Sequence, residues 1–323
     1  MKNKLDIDFV DKLQEYRAIT ILTHINPDGD TLGTGLGIYA LLKANTKHKI
    51  EIVNISTDLP IYLDFLPSYR KIKSKMDYID SLVICCDGGS LDRFGVDLEG
   101  RDIVNIDHHH TNKYYGSINI IDKDGASASL VAYNFFKDIY NINRDCATCF
   151  YSALFSDTLG FTTNNTDKDV FKIAYELVTF GANPSEIGYN FTQRKSLSSI
   201  RILQRALTRL TLSNDAKIAS LYITQEDILS TNIPISQTDT IIDYPRSLVT
   251  VEIAIFLIEL QDRVKVSLRS RNVDISDVAI FFGGGGHTNA SGFSMDKRDI
   301  QVIIDTIIAQ IIKLGLIDEK KTR

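Results

Sequence analysis

The sequence predicts a two-domain α/β protein: a doubly wound parallel-sheet domain over residues 1–190, a helical linker over 191–214, and a smaller α/β domain over 215–323. Three observations carry this. Short β-branched runs alternate with helix-periodic stretches through the first part of the chain. The break Gly181-Ala182-Asn183-Pro184 is followed by one helical stretch, Ser196–Leu212. Beyond Asn214-Asp215 the periodicity returns to strands before a closing helix over Ile300–Leu314. A chain of 323 residues is long enough for two separate cores.

The elements follow in order. Phe9, Leu13 and Tyr16 repeat at i, i+4, i+7, which predicts an opening amphipathic helix. Ala18–Thr23 is a β-branched strand, and Thr31–Lys43 after it is apolar and helix-permitting. Gly33, Gly35 and Gly37 lower its helix propensity, so they point to close packing or to backbone approach by a ligand. Glu51–Ile55, Leu82–Cys86 and Asp102–Ile106 are further strands. Ala126–Tyr140, Cys146–Leu154 and Asp167–Phe180 have helical spacing, although Tyr151–Phe155 alone also reads as a strand. On Ser196–Leu212, Arg201, Arg205 and Arg209 form a stripe that is either a solvated face or a track beside a crevice. Lys217–Thr224, Leu248–Leu260, Arg263–Arg269 and Val278–Phe282 read as strands, the last running into Gly283-Gly284-Gly285-Gly286-His287. Glu319–Arg323 reads as a polar tail.

Carboxylates and imidazoles gather where the predicted strands end. Ala18–Thr23 hands over to His24-Ile25-Asn26-Pro27-Asp28-Gly29-Asp30. Leu82–Cys86 ends in Asp87, Asp102–Ile106 in Asp107-His108-His109-His110, and Tyr151–Phe155 in Ser156-Asp157. In an extended segment Asp28 and Asp30 would point to the same side. Like charges crowded on one sheet edge are costly unless cations neutralise them. Mixed carboxylate and imidazole donors suit manganese, or less selectively magnesium, iron or zinc. There are donors enough for two ions, the arrangement that clamps both oxygens of an in-line phosphoryl displacement. In the C-terminal half, backbone N–H groups of the glycine run are suited to phosphate, with Arg269 and Arg271 expected on one strand face beside them.

These motifs resemble the DHH phosphoesterase family. His24-x-x-Pro27-Asp28-Gly29-Asp30 is similar to its first motif, Asp87 with Arg93 to its second, Asp107-His108-His109-His110-Thr111-Asn112 to its third, and Asp157-Thr158 with Asn164–Thr166 to its fourth. Val266–Arg271 followed by Gly283–His287 resembles the DHH-associated domain with its GGGH signature. The length resembles the stand-alone nanoRNase and 3′,5′-bisphosphate-nucleotide phosphatase branch. The resemblance implies a first metal on His24 and Asp28, a second on Asp30, His108 and Asp157, and Asp87 bridging the two. It further implies that His109 faces the scissile phosphate, that Asp107 orients the imidazoles, and that Arg93, Arg269, Arg271, Gly284, Gly285, Gly286 and His287 bind substrate. Two manganese ions, or magnesium, are the implied cofactors. Thr34 stands where the first motif often has serine, and Ser152-Ala153 where the fourth often has glycine.

Composition narrows the partners. A net charge of −5 gives little counterion-release gain, which argues against long duplex nucleic acid. Cys85 and Cys86 read as core residues, and Cys146-Ala147-Thr148-Cys149 lacks the second CxxC that a zinc site needs. Met1-Lys2-Asn3-Lys4 leads into Asp6 and Asp8, not into an apolar leader, and no run is long enough for a membrane span. A cytoplasmic protein is expected, and the family resemblance implies an enzyme acting on very short oligonucleotides such as pApA or pGpG and on 3′-phosphoadenosine 5′-phosphate, with a homodimer left open. A cyclic-dinucleotide phosphodiesterase and a catalytically silent nucleotide sensor are the alternatives.

Overall fold

The computed structural model describes residues 4–317, so Met1–Asn3 and the expected tail Glu319–Arg323 lie outside the described residues. The chain divides into two compact units, 1–194 and 195–323.

The first unit runs α1 (Lys4–Gln14), β1 (Ala18–Thr23), α2 (Gly29–Asn45), β2 (Lys49–Val53), β3 (Ile72–Lys73), β4 (Leu82–Cys86), β5 (Ile103–Asp107), β6 (Ile118–Ile121), α3 (Ala128–Phe136), α4 (Arg144–Asp157), α5 (Lys168–Thr179) and α6 (Pro184–Thr192). Its sheet has the order β3-β2-β1-β4-β5-β6 with every pairing parallel. The order reverses between β1 and β4, and it is outside the carboxyl ends of strands at such a point that α/β sheets bind ligands. One face, with Ile19, Ile21, Ile84, Val104 and Ile106, lies in a single core to which all six helices contribute. The opposite face is covered by Phe94, Leu98 and neighbouring loop residues. Tyr151–Phe155 is helical, as its spacing with Cys146 and Cys149 allowed: Cys146, Cys149 and Phe150 are fully buried, so α4 is a core helix and its thiols are free and inert.

The glycines of α2 are used for packing. A Cβ on Gly33 would lie 2.7 Å from the Ala153 Cβ and 2.8 Å from the Cys149 carbonyl oxygen, and one on Gly37 would lie 2.4 Å from the Phe150 ring. Backbone-level contact between α2 and α4 therefore tolerates no side chain. It sets the start of α2, which carries Asp28 and Asp30, against the end of α4, which carries Asp157.

The second unit runs α7 (Leu197–Thr208), β7 (Thr211–Ser213), β8 (Ile218–Ile223), α8 (Gln225–Thr231), α9 (Asp243–Arg246), β9 (Ile253–Glu259), β10 (Arg263–Ser270), α10 (Ser276–Phe281), β11 (Gly285–His287), β12 (Ala290–Asp296) and α11 (Ile300–Lys313). Its mixed sheet has the order β11-β12-β10-β9-β8-β7, with only β8 and β9 parallel. Ile255, Leu257, Val264, Val266 and Leu268 pack against α10 and α11 on one face, while Ala219, Leu221, Phe256 and Ile258 pack against α7 on the other.

One expectation is corrected here and one alternative is set aside. Val278–Phe282 is not a strand: Val278 and Ala279 are buried while Ile280 and Phe281 are exposed, the pair-in, pair-out pattern of a helix, and α10 covers that segment. Nor do the α7 arginines form a track. Arg205 and Arg209 both bind the buried Asp227, Arg205 at 3.1 Å, so two of the three charges are consumed within the unit. No helix among the described residues is long and apolar enough to cross a membrane.

Filling the α2–α4 contact tests this account. Gly33→Val should destabilise the first unit by about 1–3 kcal/mol. Melting followed by circular dichroism should drop, and divalent-cation affinity should fall with it, because the shift displaces Asp157 from Asp30. A Gly33→Val protein with wild-type melting would contradict the close approach.

Candidate metal centre

Each sheet strand near the reversal delivers one polar group to the same edge. His24 follows β1, Asp87 follows β4, and Asp107 ends β5 with His108 and His109 just beyond. Asp30 lies in the first turn of α2 and Asp157 is the last residue of α4. All of these except His109 and Asp157 are at most one-sixth exposed, and Asp107 is fully buried. Asp28 is different: it is the N-cap of α2, its Oδ1 accepting from the Asp30 and Thr31 amides at 3.1 Å each, and its side chain is largely exposed. The helix therefore begins at Gly29, so Asp28 and Asp30 do not share an extended segment. They face different neighbours.

Three groups of possible ligands result: His24, Asp28 and Asp87; Asp30, His108 and Asp157; and Asp87, His108 and His109. His24 Nε2 lies 3.4 Å from Asp87 Oδ2 and 3.8 Å from Asp28 Oδ1. His108 Nε2 lies 3.5 Å from Asp87 Oδ1, 3.5 Å from Asp157 Oδ2 and 3.7 Å from Asp30 Oδ2. These separations are long for hydrogen bonds. They suit atoms around a common cation, since two ligands with bonds of ~2.1 Å sit roughly 3.0–3.5 Å apart. Asp87 turns one oxygen to each histidine, and its buried Oδ1 has no hydrogen-bond partner. An anionic oxygen left bare in the interior is destabilising unless a cation reaches it, so the donor set fits divalent metal.

The remaining lone pairs and ring nitrogens are held from behind. His24 Nδ1 donates to the Ile25 carbonyl at 2.9 Å and His108 Nδ1 to the Gly125 carbonyl at 3.1 Å, which leaves each Nε2 facing the carboxylates. Asp30 Oδ1 accepts from Thr34 Oγ1 at 3.1 Å and from the Ser129 amide, while Oδ2 accepts from the Ala128 amide at 2.7 Å. The amides belong to the start of α3, whose partial positive charge favours an anion. Asp107 accepts from His109 Nδ1 at 2.6 Å and from Asn112 Nδ2.

Charge coupling follows from this geometry. Burial opposes a charged His24, but the Asp87 carboxylate beside it wins and lifts its pKa to about 8. His108 is lifted to about 11 against burial by Asp87, Asp30 and Asp157. His109 is raised by Asp107. Asp30 rises to about 7 through burial first and then the charge of Asp87, and Asp157 rises well above the carboxylate range for the same kind of reason. Burial works against a charged Asp87 as well, yet the two imidazoles outweigh it and hold its pKa low. The metal-free centre thus stores protons that an incoming cation must displace.

Other residues singled out from the sequence are placed as follows. The Arg93 carbonyl accepts from the Ile25 amide at 2.8 Å, tying its turn to the first loop, and its side chain is exposed. His110 is exposed beyond the ligands. Arg269 of β10 and His287 of β11 both pair with Ala290 of β12, so all three share one sheet face. Gly285 and Ser267 share it through Gly292. β10 ends at Ser270, so alternation does not carry Arg271 to that face; its guanidinium lies 3.3–3.5 Å from the carbonyls of Arg246, Leu248 and Val249. Gly284 and Gly286 serve the hairpin itself, because a Cβ would meet the Gly292 oxygen at 2.2 Å or the Ala290 oxygen at 2.5 Å. Gly285 has open space. Sequence reasoning assigned no role to Asn112, Thr34 or the α3 amides. The N-cap serine, Ser127, was the available signal for the last.

Comparison with known proteins bears on the family and the fold. Residues 18–154 match the DHH family, N-terminal domain, and residues 203–313 match the DHHA1 domain. A Thermus thermophilus protein named bifunctional oligoribonuclease and PAP phosphatase NrnA is 26% identical over 91% of this chain and 89% of its own length. A Bacillus subtilis protein of the same name is 26% identical over 88% of this chain and 92% of its own. An exopolyphosphatase-related protein from Bacteroides fragilis shares the fold, with a TM-score of 0.89 at 23% identity, covering 96% of this chain and 97% of that one.

Two measurements check the site. His24 is raised from 6.5 and Asp30 from 3.8, so each binds its proton more tightly in the folded chain than in the unfolded one. Their contribution to metal-free stability is present below those ordinary values and is lost as pH rises through about 7 and about 8. The melting temperature of chelator-stripped protein should therefore fall between about pH 4 and about pH 8. Each proton held only by the folded chain costs about 1.4 kcal/mol of stability for every pH step of one. Added Mn2+ should raise the melting temperature most at the upper end, where fewer protons compete. A flat profile would contradict the coupling. Separately, Asp87 has φ +60, a conformation that asparagine tolerates. Asp87→Asn should thus keep the fold, lose bound metal by elemental analysis, and reduce turnover more than about 100-fold.

Proposed function

The chain belongs to the DHH family, and from that premise we propose that it is a metal-dependent phosphodiesterase that hydrolyses very short oligonucleotides to mononucleotides and also dephosphorylates 3′-phosphoadenosine 5′-phosphate. As a reaction class it is a phosphoric-ester hydrolase. The observation that carries the proposal is Asp87: one carboxylate turned between two imidazole–carboxylate sets. Relatives named oligoribonuclease and PAP phosphatase, matched over most of the chain, support the substrate class.

In this reading two ions, Mn2+ by the mixed oxygen and nitrogen donors, would be held by His24, Asp28 and Asp87 and by Asp30, His108, Asp157 and Asp87. Such ions polarise phosphoryl oxygens and acidify water at neutral pH. The protein's own groups do the rest. Asp107, itself held by Asn112, orients the His109 ring, and its charge raises the His109 pKa and so favours the imidazolium beside the developing phosphoryl charge. The α3 amides and Thr34 hold Asp30 still, so no reorganisation is needed during displacement. In the second unit, Arg269 and His287 on their shared face would grip a terminal phosphate, with Gly285 leaving backbone accessible between them.

Short substrates are favoured by the charge balance of the chain. The protein carries a net charge of −5, and Arg205 and Arg209 are already committed to Asp227. Each added nucleotide therefore gains few phosphate contacts. Purified protein with Mn2+ should hydrolyse pApA and 3′-phosphoadenosine 5′-phosphate, and cyclic di-AMP and pyrophosphate poorly. Across single strands of two to about 20 nucleotides, a length beyond the ~4–16 nucleotide footprint of a single-strand-binding fold, kcat/KM should fall by at least about tenfold. A flat or rising series would overturn the short-substrate reading. Arg269→Ala should lower kcat/KM on pApA by about 10- to 150-fold, chiefly through KM.

A further inference from the structure

The helix that ends in Asp157 is closed by a residue that the fold itself does not call for. Leu159 donates its amide to the Ser156 carbonyl at 3.1 Å and Gly160 donates to the Phe155 carbonyl at 2.8 Å, with Thr158 as the cap between helix and turn. This hydrogen-bond pair is the Schellman closure, which needs a left-handed residue immediately after the cap and normally takes glycine there. Leu159 occupies that position with φ +47. A leucine in this conformation presses its Cβ against the backbone, and a glycine would not.

No core cluster among the described residues takes up the side chain. Tyr114 and Phe161 are the other large side chains with positive φ among the described residues, and each has an evident return. The Tyr114 amide is held by Asn112 Oδ1 at 2.7 Å and its ring lies under Lys123. The Phe161 ring packs on Tyr151, Phe155 and Phe171 at 5.6–5.7 Å. Leu159 joins no core cluster and is 53% exposed. The conformation is strained and the apolar surface faces water, so the side chain is costly twice over. Strain kept without local benefit marks a functional position. The nearest chemistry is Asp157, two residues back and thus at most ~7.6 Å away along the backbone. Its carboxylate faces His108 at 3.5 Å.

We propose that Leu159 is a substrate-contact residue: an apolar ledge beside the metal centre on which the nucleobase adjoining the scissile phosphate rests. The inference depends on the short-oligonucleotide reading above. Covering the leucine with a base removes the exposed apolar surface only in the complex, so the strain is tolerated for specificity. It also explains why a branched side chain stands where glycine would close the helix better.

The test compares Leu159→Gly and Leu159→Met with wild type on pApA and on an analogue lacking the base next to the scissile phosphate but keeping both riboses. Wild-type cleavage of pApA is measured first; its absence would overturn the short-oligonucleotide reading and the role of Leu159 with it, whereas a failure confined to the Leu159 variants overturns that role alone. Given that activity, Leu159→Gly should melt at or above the wild-type temperature and bind Mn2+ as wild type does. It should raise KM for pApA about 5- to 20-fold, with kcat within about twofold. The penalty should vanish on the base-free analogue, and Leu159→Met, which refills the ledge, should restore KM. An unchanged KM would overturn the proposal, as would an equal penalty on both substrates. A fall in kcat accompanied by weaker Mn2+ binding would also overturn it, by making Leu159 a support for Asp157.

Discussion

The structure depends on one electrostatic constraint: Asp87, buried at the end of β4 with an oxygen that no protein donor reaches. A bare carboxylate in the interior cannot stand alone, and its surroundings are arranged around that fact. His24 and His108 approach its two oxygens from opposite ligand sets, and the other carboxylates are kept apart by helix amides and by Thr34. The balance closes only with protons or cations present. His24 and His108 move upward through the charge of Asp87 against burial, and Asp30 moves upward through burial first and then through Asp87. Folding and loading of this centre are therefore linked: what stabilises the stripped protein at low pH is displaced by metal at higher pH.

Packing serves the same centre. The close approach of α2 to α4 reads as ordinary core economy at Gly33 and Gly37, but it also fixes the separation between the residues those helices deliver to the sheet edge. At Gly29, between Asp28 and Asp30, a Cβ would overlap Ser156 Oγ at 2.2 Å, next to Asp157 in sequence. The fold thus sets ligand spacing through backbone contact, which is stiffer than contact between flexible side chains. The same helix end carries Leu159, so geometry at the metal and selectivity beside it would be set by one turn of chain.

The second unit solves a different problem. Its sheet buries both faces along β8 and β9, yet toward β12 and β11 one face is left with Arg269, Ser267, Ala290, Gly285 and His287. Small residues separate Arg269 from His287 across that face. The glycine run that marks this place in the sequence is mostly structural: Gly284 and Gly286 let β11 lie against β12, and only Gly285 has open space.

Much of this was legible in the residues alone. Hydrophobic periodicity marks β1, β4 and β5, because buried parallel strands must be apolar throughout, and polar residues at their carboxyl ends stand out against that background. His24, Asp87 and Asp107 were therefore visible as candidates without coordinates. What sequence could not decide is where a periodicity ambiguous at short range would settle. Val278–Phe282 is as apolar as a strand, and only the core beneath it makes it a helix. The α7 arginines formed a stripe on paper, and only the buried Asp227, from an element further along the chain, turns them into a clasp. Asp28 and Asp30 looked like a pair until the helix start at Gly29 sent them to different neighbours. Local sequence determines which groups are available and on which element. Long-range packing decides which of them meet, because burial and charge depend on neighbours that lie far away in sequence.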